Sequence, residues 1–298
     1  MPKLPIIDLS LFRNGDIAVK QSIIKQVYQA CHKIGFLYLV NYDIAPKLVE
    51  QIFDYSKYLF DLPLEVKQKM AWSDEFSNQG YVGIERERLS PDKPGDLKEA
   101  FNFVKLDNLP SSLFVEPIIP DFFQACTEMV NTILKAFSLA LELEEDFLTS
   151  KHNQQHHTLR LLHYPPLQQP PKLGQIRAGE HSDYGSITLL FQDDIGGLEV
   201  QTAAGEWINV PKISNTILVN TGDLMQRWTN NIFCSTKHRV IIPHENKAKY
   251  SRYSVAFFCH PNEDTEIYCL ESCQRDKPPI YPPITAGEYL LNRLKSTY

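Results

Sequence analysis

Apolar positions in the first half of the chain recur at helical spacing. Ile23, Ile24, Val27, Tyr28 and Cys31 predict a helix over about 17–33, with Gly35 as its stop. The unbroken apolar run Phe36-Leu37-Tyr38-Leu39-Val40 predicts a buried strand over 36–41. A second amphipathic helix fits about 46–60, and the Leu62-Pro63 break starts a third that runs through Met70. Residues 71–98 are rich in Gly and Pro and read as loop. A long helix from about Pro120 to Leu148 carries Met129, Ile133, Phe137 and Leu141 on one side.

Beyond residue 157 the period changes. Strand-like runs occupy 158–164, 186–192, 197–201, 216–220, 238–242 and 252–258, separated by turn signals such as Gly196-Gly197 and Ala204-Gly205. Many short strands at close spacing predict an antiparallel sandwich or jelly roll. The expected fold is therefore mixed α/β (α+β). A helical region with a few strands spans 1–150, and a jelly-roll core with a closing helix near Ala286–Leu294 spans 151–298, the two forming one integrated unit.

Composition narrows the function. The chain has 298 residues, 43% hydrophobic and 22% charged, which excludes a disordered or fibrous protein. Thirty Lys and Arg against 36 Asp and Glu give a net charge of −6, so no basic field favours nucleic acid. The apolar runs are strand-sized, far short of the ~20 residues that span a bilayer, and no membrane partner is expected. No hydrophobic leader is visible at the N-terminus, and a cytoplasmic location follows as an expectation. Six cysteines include no CxxC pair, which speaks against a cysteine zinc site and for free thiols in a reducing compartment. No heptad pattern or unpartnered amphipathic helix stands out, so a monomer is expected.

The sharpest chemical signal is His181-Ser182-Asp183 at the start of a strand-like segment. Residues i and i+2 of a strand share a face, so the imidazole and carboxylate can converge on one ion. His238, opening a later strand, can supply a third ligand. Two histidines and a carboxylate on one side of an ion leave the other positions open, which suits non-haem Fe(II), although the ligand set alone does not exclude zinc. Arg252 and Ser254 again share a strand face, and a guanidinium with a hydroxyl suits the distal carboxylate of a dicarboxylic acid. Tyr164 can add a polar tip beside them. Arg86, Glu87 and Arg88 form a charged run in a loop. The run is either solvated or turned toward a zwitterionic or acidic substrate. Phe101 and Phe103, two apart, are either pocket lining or sheet core.

Together these residues resemble the isopenicillin N synthase-like family of Fe(II)/2-oxoglutarate-dependent oxygenases. The matching stretches are His181-Ser-Asp183, His238-Arg-Val and Arg252-Tyr-Ser254, framed by Gly196-Gly-Leu-Glu-Val, Trp207-Ile-Asn-Val-Pro and Asn220-Thr-Gly-Asp-Leu. The N-terminal half matches through Leu4-Pro-Ile-Ile-Asp8, Gly35-Phe-Leu-Tyr-Leu-Val-Asn41 and Lys98-Glu-Ala-Phe-Asn-Phe103. The resemblance implies a double-stranded β-helix core, Fe(II) on His181, Asp183 and His238, and 2-oxoglutarate on Arg252 and Ser254 with Tyr164 nearby. It also implies oxidation, in the first instance hydroxylation, of a small molecule such as an amino acid, peptide or natural-product intermediate, using O₂ and releasing succinate and CO₂. Arg86, Arg88, Phe101 and Phe103 are the expected substrate contacts. The chain departs from plant-type members at Leu162, where they carry Asn, at Val40-Asn41-Tyr42-Asp43, and in a longer gap between His238 and Arg252. Two other readings fit the same scaffold: a 2-oxoglutarate-independent Fe(II) oxidase or cyclase, and a cupin-like binding protein without turnover.

Overall fold

Period-two alternation along the strands sets the architecture. The computed structural model describes residues 4–72, 78–90, 92–104, 117–243, 245–274 and 277–297. In chain order the strands are β1 (Ile6–Asp8), β2 (Phe36–Val40), β3 (Gly80–Val82), β4 (Glu99–Phe103), β5 (Thr158–Tyr164) and β6 (Ala178–His181). Then follow β7 (Ile187–Gln192), β8 (Leu198–Gln201), β9 (Trp207–Asn209), β10 (Ile217–Thr221), β11 (His238–Val240) and β12 (Arg252–Cys259). Eight of them form one sheet in the order β1-β2-β10-β7-β12-β5-β4-β3, and four form a second in the order β6-β11-β8-β9. The strands from the N-terminal half thus extend both edges of the larger sheet.

The central strands of the large sheet send alternate residues to two different cores. Ile187, Leu189, Phe191, Val255, Phe257, Leu159 and Leu161 pack against helices Ile17–Lys33, Pro46–Asp61 and Ile118–Ala140. Their neighbours Leu162, Tyr164, Leu218 and Ala256 meet Ala178, Leu198, Val200, Ile208 and Val240 of the small sheet. This is the double-stranded β-helix arrangement, with a sandwich interior distinct from the helix-packed core.

Local signals explain the boundaries. Asp16 caps Ile17–Lys33 by accepting from the Val19 amide at 2.9 Å. Gly35 turns the chain at φ +68°, and a Cβ there would meet the Cys234 carbonyl oxygen at 2.0 Å. The long helix stops at Ala140 instead of 148. Glu142 adopts φ 58°, and the Ser138 hydroxyl accepts from the Leu148 amide. Within the stretch expected to be loop, Gly80–Val82 forms a strand, while 73–77 and 91 lie outside the described residues. Among the described residues no helix is long and apolar enough to cross a membrane.

Candidate active site

The two sheets bring His181, Asp183 and His238 together at the mouth of the sandwich. His181 ends β6, His238 opens β11, and the two are direct cross-strand partners. One ligand atom from each of the three residues lies within 4.8 Å of the others. Asp183 Oδ1 stands 3.6 Å from His238 Nε2 and 4.0 Å from His181 Nε2. Each imidazole is oriented from behind: His181 Nδ1 donates to the Gly179 carbonyl at 2.7 Å, and His238 Nδ1 to the Thr236 carbonyl at 3.2 Å. Both Nε2 lone pairs are therefore left for a metal. Thr188 and Asn220 donate to Asp183 Oδ2 at 2.6 and 2.7 Å, which leaves Oδ1 toward the centre.

The electrostatics match a ligand set ready for a cation. Burial, with His238 adding to it, pushes His181 down to about 3, so its imidazole is neutral. For Asp183 burial opposes ionisation, but the two imidazoles and the Asn220 and Thr188 donors outweigh it and hold the carboxyl below its usual range. Two imidazole nitrogens and one carboxylate oxygen on one side of a point constitute a facial two-His–one-carboxylate donor set.

Deeper in the sandwich, β12 carries Arg252 and Ser254 on the same face, both buried. Arg252 donates to Ser254 Oγ at 3.3 Å and to Gln192 Oε1 at 3.2 Å, and its guanidinium lies 4.7 Å above the ring of its cross-strand partner Tyr164. Among the described residues no carboxylate pairs with Arg252, and its Nε is buried without a hydrogen-bond partner. A cavity links this guanidinium to the triad past Leu162, Leu190 and Val240. A buried cation without an anion, one small cavity away from a metal-ligand set, fits a dicarboxylate that chelates at one end and pairs at the other.

A second cavity opens on the other side of His181 and Asp183. Asn78, Asn102, Arg160, Phe258, His260 and Leu294 are among its walls. Glu87 accepts from Arg160 at 2.5 and 3.3 Å and pairs with Lys98 at 3.2 Å, while Lys98 also holds Asp96 at 2.5 Å. Burial opposes the Glu87 charge, but Arg160 and Lys98 hold its carboxyl down at about 2. The C-terminal helix Ala286–Thr297 closes the mouth with Leu290 and Leu294, and Tyr184 and Thr297 share a hydrogen bond at 2.5 Å.

The expected substrate contacts are distributed differently. Phe101 and Phe103 face the helix-packed core, against Phe60 and Tyr81, because β4 pairs with β5 in a register that sends Asn102 to the cavity. Arg86 and Arg88 are exposed and line neither of these two cavities; Arg86 lies over Trp72 at 5.7 Å. Glu87 between them is the residue that turns inward. Sequence reasoning passed over Arg160, Lys98, Asn102, Tyr184, Phe258 and His260. Arg160 left a signal, since it shares the strand face of Leu162 and Tyr164, and a charge on an inward face of a buried strand needs a partner.

Comparison with known proteins decides the family. A family model described as the 2OG-Fe(II) oxygenase superfamily matches residues 155–261, and one described as "non-haem dioxygenase in morphine synthesis N-terminal" matches 4–120. A 2-oxoglutarate-Fe(II) type oxidoreductase of Emericella nidulans, hxnY, is 31% identical over 99% of this chain and 90% of its own length. The chain belongs to the 2-oxoglutarate–Fe(II) oxygenase superfamily. Proline hydroxylase buaE of Petromyces alliaceus is 32% identical over 98% of each chain. A full-length Neurospora crassa protein, solved in complex with α-ketoglutarate, superimposes with a TM-score of 0.90 at 34% identity, covering 98% of this chain and 96% of its own. This oxygenase is accordingly an Fe(II)- and 2-oxoglutarate-dependent enzyme that acts on a small molecule with O₂.

Proposed function

We propose that this oxygenase hydroxylates an unactivated C–H of a small cyclic compound bearing polar groups, held in the cavity beside Asp183. The observation that carries the reading is the wall opposite the triad, where a buried Arg160–Glu87 pair, Asn102 and the Phe258 ring surround a space too small for a folded partner. The Neurospora crassa structural relative has been solved with thymine and with 5-formyluracil, and the Petromyces alliaceus relative is named a proline hydroxylase. Rings of that size support the same substrate class here.

In this reading His181, Asp183 and His238 hold Fe(II), supported by their convergence within 4.8 Å. Arg252 and Ser254 bind the distal carboxylate of 2-oxoglutarate, and Tyr164 covers the Arg252 guanidinium. Iron, when bound with 2-oxoglutarate and O₂, supplies the oxidising power, and the cosubstrate is released as succinate and CO₂. The protein's task is placement. Gly179 and Thr236 fix the two imidazole rings, Thr188 and Asn220 fix the carboxylate, and Leu290 and Leu294 keep water from the target carbon.

A screen of thymine, uracil, proline and short peptides tests the reading through succinate release and product mass. One ring compound should raise succinate formation well above the substrate-free rate and gain one oxygen atom. Stimulation by peptides alone, or a product that has lost two hydrogens without gaining oxygen, overturns it.

A further inference from the structure

Behind the cosubstrate end of the sandwich lies a second buried cation that the proposed chemistry does not use. Arg177 immediately precedes Ala178, which lines the same cavity as Arg252, and is 0% exposed. Its Nη2 donates to the carbonyls of Tyr250 at 3.1 Å and Ala248 at 3.5 Å, in the turn that leads into Arg252. Among the described residues its Nε and Nη1 are buried without hydrogen-bond partners. Burial, with the Arg252 charge beside it, pushes the Arg177 guanidinium below its ordinary range, while Tyr164 and Asp193 act the other way. Asp193 is the acidic group of that neighbourhood, and it is committed elsewhere, accepting from the amides of Tyr253 and Ile195.

Two like charges buried in one neighbourhood, joined through the turn of residues 248–250, repel each other, and each loses hydration. Such a pair is retained at least cost when an anion enters between or beside them. We infer that Arg177 is a positioning residue for the cosubstrate: with Arg252 it forms a two-guanidinium field that selects keto acids carrying a second, distal carboxylate. Arg252 makes the direct pair. Arg177 acts through the field and by fixing the 248–250 carbonyls that seat Arg252. The inference rests on the proposed role of Arg252, and the two can fail separately.

The test is a binding measurement on the full-length chain loaded with Fe(II) without oxygen, read from the visible charge-transfer band as keto acid is added. The probes are 2-oxoglutarate and 2-oxopentanoate, which shares the chelating head but ends in a methyl group. In Arg177→Met, affinity for 2-oxoglutarate should fall about tenfold, the scale of one charge removed from a partly buried anion site, while 2-oxopentanoate binds as before. Equal weakening of both probes assigns Arg177 to holding the fold and overturns the inference, as does unchanged affinity for both. Should Arg177→Met not fold, Arg177→Gln keeps a donor for the Tyr250 carbonyl and carries the same comparison. Arg252→Met is the separate control: if it leaves 2-oxoglutarate affinity intact, the anchor assignment itself is wrong, whatever Arg177 does.

Discussion

The two faces of the large sheet are built from the same strands and serve opposite ends. In β12, Tyr253, Val255, Phe257 and Cys259 face the helices, while Arg252, Ser254, Ala256 and Phe258 face the cavities. In β7, Ile187, Leu189 and Phe191 contrast with Thr188, Leu190 and Gln192 in the same way. The helix face is close-packed and largely apolar, and in its charged cluster Glu99 accepts from Lys67, Tyr81 and His163. The cavity face buries Arg252 and Arg177 with donors to spare. Stability is concentrated on the first face and unspent polarity on the second, so a substitution should reveal its face by what it damages.

The largest effect is expected at the mouth of the cavity face. His181→Ala or Asp183→Ala should bring 2-oxoglutarate-dependent turnover below detection while the far-ultraviolet circular dichroism stays that of the parent. Substantial turnover in either variant contradicts the ligand assignment. The opposite face gives the opposite signature. Phe257 is fully buried, with its ring edge-on to Phe123 at 5.0 Å and to His157 at 5.3 Å. Phe257→Ala leaves a cavity there and should cost about 3–5 kcal/mol of unfolding free energy. At temperatures where the variant is folded, its affinity for 2-oxoglutarate should match the parent's. Urea denaturation read beside the charge-transfer titration checks both halves, and a loss of affinity without a loss of stability breaks the division between faces.

The division also explains what could be read from the sequence. The helix Ile17–Lys33 and the strand Thr158–Tyr164 have the expected bounds, because a cap, a stop and an unbroken apolar pattern are local signals. His181, Asp183 and His238 meet because His238 opens the strand paired with the one that His181 ends, and Asp183 follows two residues beyond that strand end. Which face a residue takes is a different question, settled by register with neighbours far along the chain. Phe101 and Phe103 go to the helices because β4, which hydropathy left unassigned, pairs with β5. β6, Ala-Gly-Glu-His, carries no apolar alternation and is a strand only through its pairing with β11. In the run Arg86-Glu87-Arg88 the inward residue is the acid, because Arg160 and Lys98 await it, and nothing local announces that.

The smallest expected effect separates the two regions along the pH axis. His152, on the helix-packed side, donates through Nδ1 to the Leu148 carbonyl at 2.7 Å, and its Nε2 accepts from Ser186 Oγ at 2.9 Å. Burial pushes its pKa down to about 4, from an ordinary value of 6.5. The folded state therefore favours the neutral ring. Its contribution is fully present above pH 6.5 and is lost as the pH falls from there toward 4, at up to about 1.4 kcal/mol per pH unit for one proton. Glu87, at the cavity, is lowered as well, from 4.5 to about 2, so its contribution is lost only between those values. Acid should therefore draw on the His152 contribution first and on the Glu87 network second. Urea denaturation of His152→Gln between about pH 7.5 and 5 should show a shallower fall than the parent, with the decline below about pH 4.5 retained. An unchanged slope between about pH 6.5 and 5 shows instead that the buried imidazole takes up its proton without opening the fold, and that the acid sensitivity lies with groups other than His152.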